Sequence, residues 1–173
     1  MKTVKKRERN RIILLLLLPL LLYPLMTGCK DRGNYKKEIE QKGIVYSEGS
    51  FLNAVKEGDR RVAELFIKSG MDANVKGSDG SAALLIAAEK GDLEMARLLL
   101  HSAADVNIRD ISGYTPLMYA AYQGNVAFTK LLIEHSPDLH AKDKDGWTAL
   151  KYAFINQHKD VVELLIKAGA QKK

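Results

Sequence analysis

The chain has 173 residues, 46% of them hydrophobic, which is enough to bury the core of one domain. Its formal net charge is +6, but the first 28 residues, with six basic side chains and one acid, account for +5 of it. The body that follows is nearly neutral and offers little to attract phosphates, whose binding by proteins is dominated by clustered lysines and arginines. Composition and charge therefore argue against a nucleic-acid-binding protein.

A basic segment and a short apolar run open the chain. Residues 2–11 are rich in lysine and arginine, and residues 12–26 are apolar, interrupted only by Pro19 and Pro24. The run has about 15 residues, whereas a helix needs about 20 to span a bilayer, and prolines disfavour such a helix. This pattern predicts a secretory signal at residues 1–28, with a retained N-terminal anchor helix as the alternative.

The single cysteine of the chain follows this run, in the sequence Leu25-Met26-Thr27-Gly28-Cys29. It resembles the lipobox of bacterial lipoproteins, except that Met26 stands where leucine is commonest. The resemblance implies that the chain is cleaved after Gly28, that the Cys29 thiol carries diacylglycerol, and that the acyl chains anchor the protein in a membrane. A lone cysteine in an exported protein would otherwise be a free thiol in an oxidising compartment.

The residues after the cysteine bear on where the protein is held. Lys30 stands where an aspartate tends to retain Gram-negative lipoproteins at the inner membrane, so the resemblance implies the outer membrane, facing the periplasm. Residues 29–43 are rich in charge and glycine, which is typical of a lipidated N-terminus with a tether that lifts a domain off the bilayer. In the alternative interpretation, Tyr35 and Ile39 pack on the domain that follows.

The sequence after residue 43 repeats with a period of 33 residues. Gly80, Gly113 and Gly146 open three related phrases, and paired leucines recur at the same interval. Stepping back by one period identifies a more divergent first unit. A fixed period of this size predicts small units that stack to bury their apolar faces, and about three are needed for stability. The predicted units are residues 44–76, 77–109, 110–142 and 143–173.

Each unit contains two short helical patterns separated by a turn. In the third unit, Thr115 is predicted to cap a helix that begins at Pro116, runs to about Gln123 and stops at Gly124. A second helix, over residues 126–135, has apolar residues on or near one face. The polar segment that leads to the next unit is predicted to form a turn.

These units resemble ankyrin repeats. Residues 110–117, Asp-Ile-Ser-Gly-Tyr-Thr-Pro-Leu, match the family's Asp-x-x-Gly-x-Thr-Pro-Leu-His start. The paired leucines at 98–99, followed by Ala-Asp-Val-Asn at 104–107, match its later part. The resemblance covers residues 44–173. It implies an all-α ankyrin-repeat solenoid of about four helix-turn-helix repeats joined by β-hairpin-like loops.

The departures from the family pattern bear on stability. Leu85, Met118 and Lys151 stand where the family has histidine, and Ala82 replaces the threonine of the second repeat. The Thr–His hydrogen bond that steadies neighbouring turns in the family is therefore missing. Gln157 replaces the turn glycine of the fourth repeat. We expect modest stability, with the second and fourth repeats fraying first.

In the ankyrin family, the hairpin tips and the first helix of each repeat line a concave face whose variable residues usually determine partner choice. Tyr114, Tyr122 and Trp147 map to this face, and such aromatic residues often dominate binding energy. In the alternative interpretation, Trp147 packs over a neighbouring repeat. The candidate partner-binding residues are Lys76, Asp79, Glu89, Lys90, Arg109, Ile111, Tyr114, Tyr122, Gln123, Lys142, Lys144, Asp145, Trp147 and Asn156.

The sequence offers little that points to catalysis or to a metal. Its four histidines share neither a repeat position nor a metal-binding spacing, and a lipidated cysteine cannot act as a nucleophile or zinc ligand. Residues 143–146 faintly resemble a calcium loop, but Tyr152 stands where its closing glutamate would be. We expect no catalytic residue, metal, cofactor or small-molecule substrate.

The resemblance implies a membrane-tethered protein–protein interaction module that binds a protein in the bacterial envelope and is a monomer when free. Two roles stay open within this class. One is a scaffold or protective binder of a resident envelope protein. The other is an immunity-type protein that neutralises a secreted toxin, for example a lipase. An enzyme is the remaining alternative.

Overall fold

The computed structural model describes residues 31–170, so the predicted signal, Cys29 and Lys30 lie outside the described residues. Nine helices occur in the described part, which contains no β-strand and only an isolated antiparallel bridge between Lys76 and Ala82. The predicted all-α solenoid is confirmed. The helices are α1 over 31–41, α2 Glu48–Glu57, α3 Arg60–Lys68, α4 Ala83–Lys90, α5 Leu93–His101, α6 Pro116–Gln123, α7 Val126–Glu134, α8 Ala149–Ile155 and α9 Lys159–Lys167.

Helices α2 to α9 form four consecutive pairs, one in each predicted repeat. The first helices stack on one another in the order α2, α4, α6, α8, and the second helices stack as α3, α5, α7, α9. The 33-residue sequence period therefore corresponds to the step from one helix pair to the next in the stack. One register position of the first helices is always a buried alanine, and one position of the second helices is always a large buried apolar residue. These positions are Ala54, Ala87, Ala120 and Ala153, and Phe66, Leu99, Leu132 and Leu165.

The helix ends of the third repeat are those that the sequence predicts. Thr115 caps α6, because its hydroxyl accepts a hydrogen bond from the Met118 amide at 3.3 Å. The helix ends before Gly124, which adopts a φ of 71° that glycine tolerates without strain. In the fourth repeat Gln157 takes the same left-handed conformation, with a φ of 60°. The fourth repeat thus keeps the backbone conformation of this turn although it lacks the glycine.

The segment before the first repeat is helical and packed. Helix α1 covers residues 31–41, and its Ile39 is fully buried in the core. Lys36 Nζ lies 4.5 Å from the ring centroid of Tyr46, and Lys68 Nζ lies 5.8 Å from that of Tyr35. Of the two interpretations left open for this segment, packing of Tyr35 and Ile39 on the domain applies to residues 31–41, because this part of the chain belongs to the folded body.

No helix within residues 31–170 has both the length and the apolar character needed to cross a membrane.

Candidate partner-binding surface

The candidate partner-binding residues lie on the loops between repeats or at the first helices, and all are exposed except the half-buried Tyr114. The structure brings some of them together in an aromatic group and others in a small pocket. It uses a third set to join consecutive repeats. These three groups differ in chemistry.

The aromatic group, which we name the Tyr152 cluster, consists of Tyr114, Tyr119, Tyr122, Trp147 and Tyr152. The ring centroid of the buried Tyr152 lies 5.3 Å from those of Tyr114 and Trp147 and 6.1 Å from that of Tyr122. Tyr122 and Trp147 nevertheless keep 55% and 38% of their surface exposed. The indole of Trp147 contacts a ring of its own repeat and offers its remaining surface to solvent.

A buried carboxylate fixes the centre of this cluster. Asp143 Oδ1 accepts hydrogen bonds from the amides of Asp145 and Trp147, each at 2.9 Å. The hydroxyl of Tyr152 donates to Asp143 Oδ2, and its oxygen lies 2.6 Å from the hydroxyl oxygen of Tyr114. Burial raises the pKa of Tyr152 above its ordinary value, and the bond to Asp143 raises it further. Tyr152 is thus a neutral, oriented support for Trp147.

The third repeat contains the same arrangement one period earlier. Asp110 Oδ1 accepts from the amides of Ser112 and Tyr114 at 2.8 Å, and the Tyr119 hydroxyl donates to Asp110 Oδ2 at 3.0 Å. Burial and this bond raise the pKa of Tyr119. The candidate residues predicted from the sequence do not include Tyr119 or Tyr152. The sequence nevertheless shows an Asp-x8-Tyr spacing at the same place in two consecutive repeats.

A second group lies between the second and third repeats. Asp79, Glu89 and Ile111 line a pocket of about 120 Å³ together with the partly buried Tyr119. The Asp79 carboxylate accepts hydrogen bonds from the hydroxyl and the amide of Ser81, and these bonds hold its pKa below the usual range. Ile111, with 68% of its surface exposed, is the most exposed large apolar residue of the candidate set.

The third group joins repeats to one another. Lys76 Nζ donates to the carbonyl of Arg109 at 3.0 Å, and Arg109 Nη1 donates to the carbonyl of Lys142 at 2.8 Å. The side-chain amide of Gln123 donates in the same way to the carbonyl of Glu89. Sequence reasoning assigned these side chains to a partner, but in the structure each is directed at the neighbouring repeat of its own chain.

The remaining candidates belong to neither the Tyr152 cluster nor the pocket. Lys90, Lys144 and Asp145 are exposed, and Asn156 lies at the end of α8, where its side-chain amide donates to the Tyr152 carbonyl at 2.9 Å. Within residues 31–170, no three histidine, cysteine or acidic side chains are grouped so that they could hold a metal ion.

Comparison with known protein families identifies the family of the chain. A family model described as ankyrin repeats, in three copies, matches residues 36–110 and 104–173. A search of curated proteins found no match to the sequence. The matched residues span most of the chain and include all eight paired helices. Ankyrin repeats indicate a protein–protein interaction module, typically a non-enzymatic scaffold. The chain therefore belongs to the ankyrin-repeat family.

Proposed function

We propose that this protein binds a protein partner through the exposed apolar side chains of its third and fourth repeats, and that a lipid on Cys29 holds it at a membrane. The observation that carries the binding proposal is the exposure of Ile111, Tyr122 and Trp147 on loops and first helices. Large aromatic side chains that stay partly exposed while their supports are buried are typical binding hot spots.

The construction of the Tyr152 cluster supports this role. Trp147 is fixed at its amide by Asp143 and at its ring by Tyr152. A side chain already held in one orientation loses little conformational entropy when a partner covers it, so more of the contact energy appears as affinity. Lys151 Nζ lies 6.0 Å from the Trp147 ring centroid and adds positive charge beside it. The part of the surface around Trp147 is therefore suited to an apolar patch of a partner with an acidic group beside it.

Helix α1 sharpens the proposal of membrane attachment. The chain is already helical at residue 31, two positions after Cys29, and Ile39 of this helix is buried in the core. Two residues span at most about 7 Å, so a lipid on Cys29 would keep the first repeat close to the bilayer. The fourth repeat, with the Tyr152 cluster, is then the part farthest along the solenoid from the anchor. We propose the periplasmic side of the outer membrane as the location.

Capture of the partner tests the binding surface. Full-length protein in its native membrane is crosslinked, and the captured proteins are identified by mass spectrometry for the wild type and for a Tyr122→Ala, Trp147→Ala double variant. We expect recovery of the partner to fall at least about tenfold in the double variant, because truncated hot-spot residues cost about 2 kcal/mol or more each. Val45→Ala is the matched control, because Val45 is 73% exposed in the loop after α1.

Undiminished capture by the double variant would contradict the proposed surface. A large drop in the melting temperature of the double variant would also contradict it, because the two rings would then act mainly in packing. A captured protein that is a secreted toxin would establish the immunity-type role, whereas a resident envelope protein would establish the scaffold role.

Lipidation has a separate test. The N-terminal peptide of the membrane-extracted wild type should carry a diacylglycerol mass on Cys29, and Cys29→Ser should lose that mass and leave the membrane fraction. A wild-type peptide that still contains residues 1–28 without added lipid would contradict the anchor and favour a retained N-terminal helix.

A further inference from the structure

The small pocket between the second and third repeats combines acidic and apolar walls. Its volume is about 120 Å³. Pockets for small-molecule ligands usually measure about 300–1,000 Å³, so this one has room for a single side chain rather than for a whole ligand of that kind. Three of its lining residues carry carboxylates, namely Asp79, Glu89 and Asp110, and we name it the acidic pocket.

The formal charge of the acidic pocket has one sign, because no lysine or arginine of the described part of the chain lines it. The Asp110 carboxylate is already bound by two loop amides and by the Tyr119 hydroxyl. Asp79 accepts both of its bonds from Ser81 at Oδ1, so within the described residues its Oδ2 is left to a ligand. None of the ion pairs in this part of the chain includes Asp79 or Glu89.

Apolar side chains form the other walls of the pocket. Leu85 and Ile86 of α4 are buried at its base. Ile111 packs against the loop of the second repeat, where an added Cβ at Gly80 would lie 2.5 Å from its Cγ2. The half-buried ring of Tyr119 completes the lining. Such walls supply no ligand to a metal ion, but they cover the aliphatic stem of an arginine or lysine, and an aromatic ring adds attraction for its charged head.

The equivalent positions one repeat later carry different side chains. The pairs, second repeat first, are Asp79 and Ser112, Ser81 and Tyr114, Ile86 and Tyr119, and Glu89 and Tyr122. The rings of Tyr114 and Tyr119, whose centroids are 5.4 Å apart, occupy space that the smaller side chains of the second repeat leave open. One period before Glu89 the first repeat has a lysine, Lys56. The acidic pocket therefore belongs to one repeat boundary and is not a consequence of the repeat architecture.

We propose that the acidic pocket receives an arginine or lysine side chain of the protein partner. This role rests on the proposed partner-binding function and specifies the chemistry of one contact within it. The pocket adjoins the Tyr152 cluster, because Tyr119 belongs to both. A partner that places an acidic group beside Lys151 at Trp147 would thus place a basic group in the pocket. Opposite charges at two places on the surface fix the direction in which the partner lies across the repeats.

Binding of a single basic side chain tests the pocket directly. N-acetyl-arginine methylamide is titrated into full-length protein extracted in detergent, and the amide NMR signals of the residues that line the pocket are followed. We expect saturable shifts, and at least about fivefold weaker binding by the Asp79→Asn, Glu89→Gln double variant, because two charge-assisted contacts are lost. Glu40→Gln with Glu134→Gln is the matched control, because it neutralises two exposed carboxylates that do not line the pocket.

The same titration with N-acetyl-citrulline methylamide separates charge from shape, since citrulline resembles arginine without its charge. Equal binding of the two probes would overturn the proposal. So would the absence of saturable shifts with the arginine probe, or undiminished binding of that probe by the Asn/Gln variant. Thermal unfolding verifies that each variant folds.

Selection of peptides separates the acidic pocket from the aromatic surface. A random-peptide library displayed on phage is panned against full-length wild type, the Asp79→Asn, Glu89→Gln variant and the Tyr122→Ala, Trp147→Ala variant. Wild type should enrich peptides that combine a basic residue with apolar residues. The pocket variant should lose only the basic preference, and the aromatic variant only the apolar one.

The two proposals fail in different ways in this selection. A basic preference that survives in the pocket variant would overturn the role of the acidic pocket and leave the proposed aromatic surface standing. An apolar preference that survives the loss of both aromatic rings, together with a basic preference that depends on the pocket, would contradict the aromatic surface and support the pocket.

Discussion

The second and third repeats follow the same backbone path but hold the start of their first helix in different ways. At three equivalent positions, polar side chains of the third repeat are replaced by glycine or apolar residues in the second. The pairs, second repeat first, are Gly77 and Asp110, Ala82 and Thr115, and Ile86 and Tyr119. In the third repeat the Asp110 carboxylate accepts three hydrogen bonds, and Thr115 caps α6.

The second repeat lacks this network and relies on local backbone bonds and apolar burial. Helix α4 has no side-chain cap at Ala82, and Ile86 is buried where the third repeat has a hydrogen-bonded tyrosine. The Gly77 amide donates to the Ser81 carbonyl at 2.8 Å, as the Asp110 amide does to Tyr114, and the loop's carboxylate, Asp79, accepts within the described residues only from Ser81. The stacked alanines and leucines are enough to keep the repeat geometry, while the Asp–Tyr bonds add rigidity where the exposed aromatic residues lie. The Asp–Tyr network is therefore present in the repeats that carry the proposed binding surface and absent from the second repeat.

The fourth repeat has the same Asp–Tyr bond as the third, and removing its buried carboxylate should have the largest effect on stability. Asp143→Ala leaves the Tyr152 hydroxyl and two loop amides without their acceptor in a buried place, and we expect a loss of about 3 kcal/mol in the free energy of unfolding. Urea denaturation measures it. Asp145→Ala, at the exposed neighbour, should change stability by less than about 0.5 kcal/mol. Equal effects of the two changes would show that the Asp–Tyr bond is not the source of rigidity.

The three periodic glycines give a second, graded test. All have positive φ, but an added Cβ at Gly113 would lie 3.1 Å from the Asp143 Cα, whereas at Gly146 it would meet nothing within 4 Å. We expect Gly113→Ala to cost about 2 kcal/mol and Gly146→Ala about 1 kcal/mol in unfolding free energy, because only the first adds backbone crowding to the left-handed strain. At Gly80 an added Cβ would lie 2.5 Å from the Cγ2 of the β-branched Ile111 and 3.3 Å from its backbone nitrogen, so a loss of about 2 kcal/mol, as at Gly113, is expected.

If all three glycine variants lost the same stability, the strain would come from φ alone and the spacing between repeats would not matter. A larger loss at Gly146 than at Gly113 would contradict the packing of these loops.

The sequence predicts the fold well because local and periodic signals agree in it. The cap at Thr115 and the stop at Gly124 are set by hydrogen bonds within a few residues, and the buried alanines and leucines recur with the period. For residues 31–41 the sequence allows both a tether and a segment packed on the domain, because these residues lie outside the repeat pattern and one isoleucine is no periodic signal.

The candidate surface was predicted only in part, because its contacts join residues that the sequence does not pair. The spacing of Asp143 and Tyr152 recurs in the chain, but only the turn between them brings carboxylate and hydroxyl together. Lys76 and Arg109 were assigned to a partner because they are charged loop residues. In the stack, a carbonyl of the next repeat lies within reach of each. Exposure and charge alone do not distinguish a side chain that binds a partner from one that joins two repeats.

Giving the second repeat the missing cap should make it more like the third. In Ala82→Thr the new hydroxyl can accept a hydrogen bond from the Leu85 amide, as Thr115 does from Met118, and Thr115 is itself buried at the equivalent position. We expect a gain of about 1 kcal/mol in unfolding free energy. Ala82→Val, which has the same shape without the hydroxyl, is the control and should give no gain. A loss of stability with threonine would mean that the second repeat is packed too tightly for the larger side chain.

The smallest expected effect concerns the turn between the helices of the fourth repeat. Gln157 has a φ of 60° where the third repeat has Gly124 at 71°, so a side chain is held in a conformation that costs about 1 kcal/mol. Gln157→Gly removes this strain but also makes the unfolded chain more flexible, so we expect a net gain of only about 0.5 kcal/mol. Gln157→Ala keeps the strain and serves as the control. Hydrogen exchange at the amides of α8 and α9 measures the difference locally, and faster exchange in the glycine variant than in the alanine variant would show that the added flexibility of glycine outweighs the relief of strain.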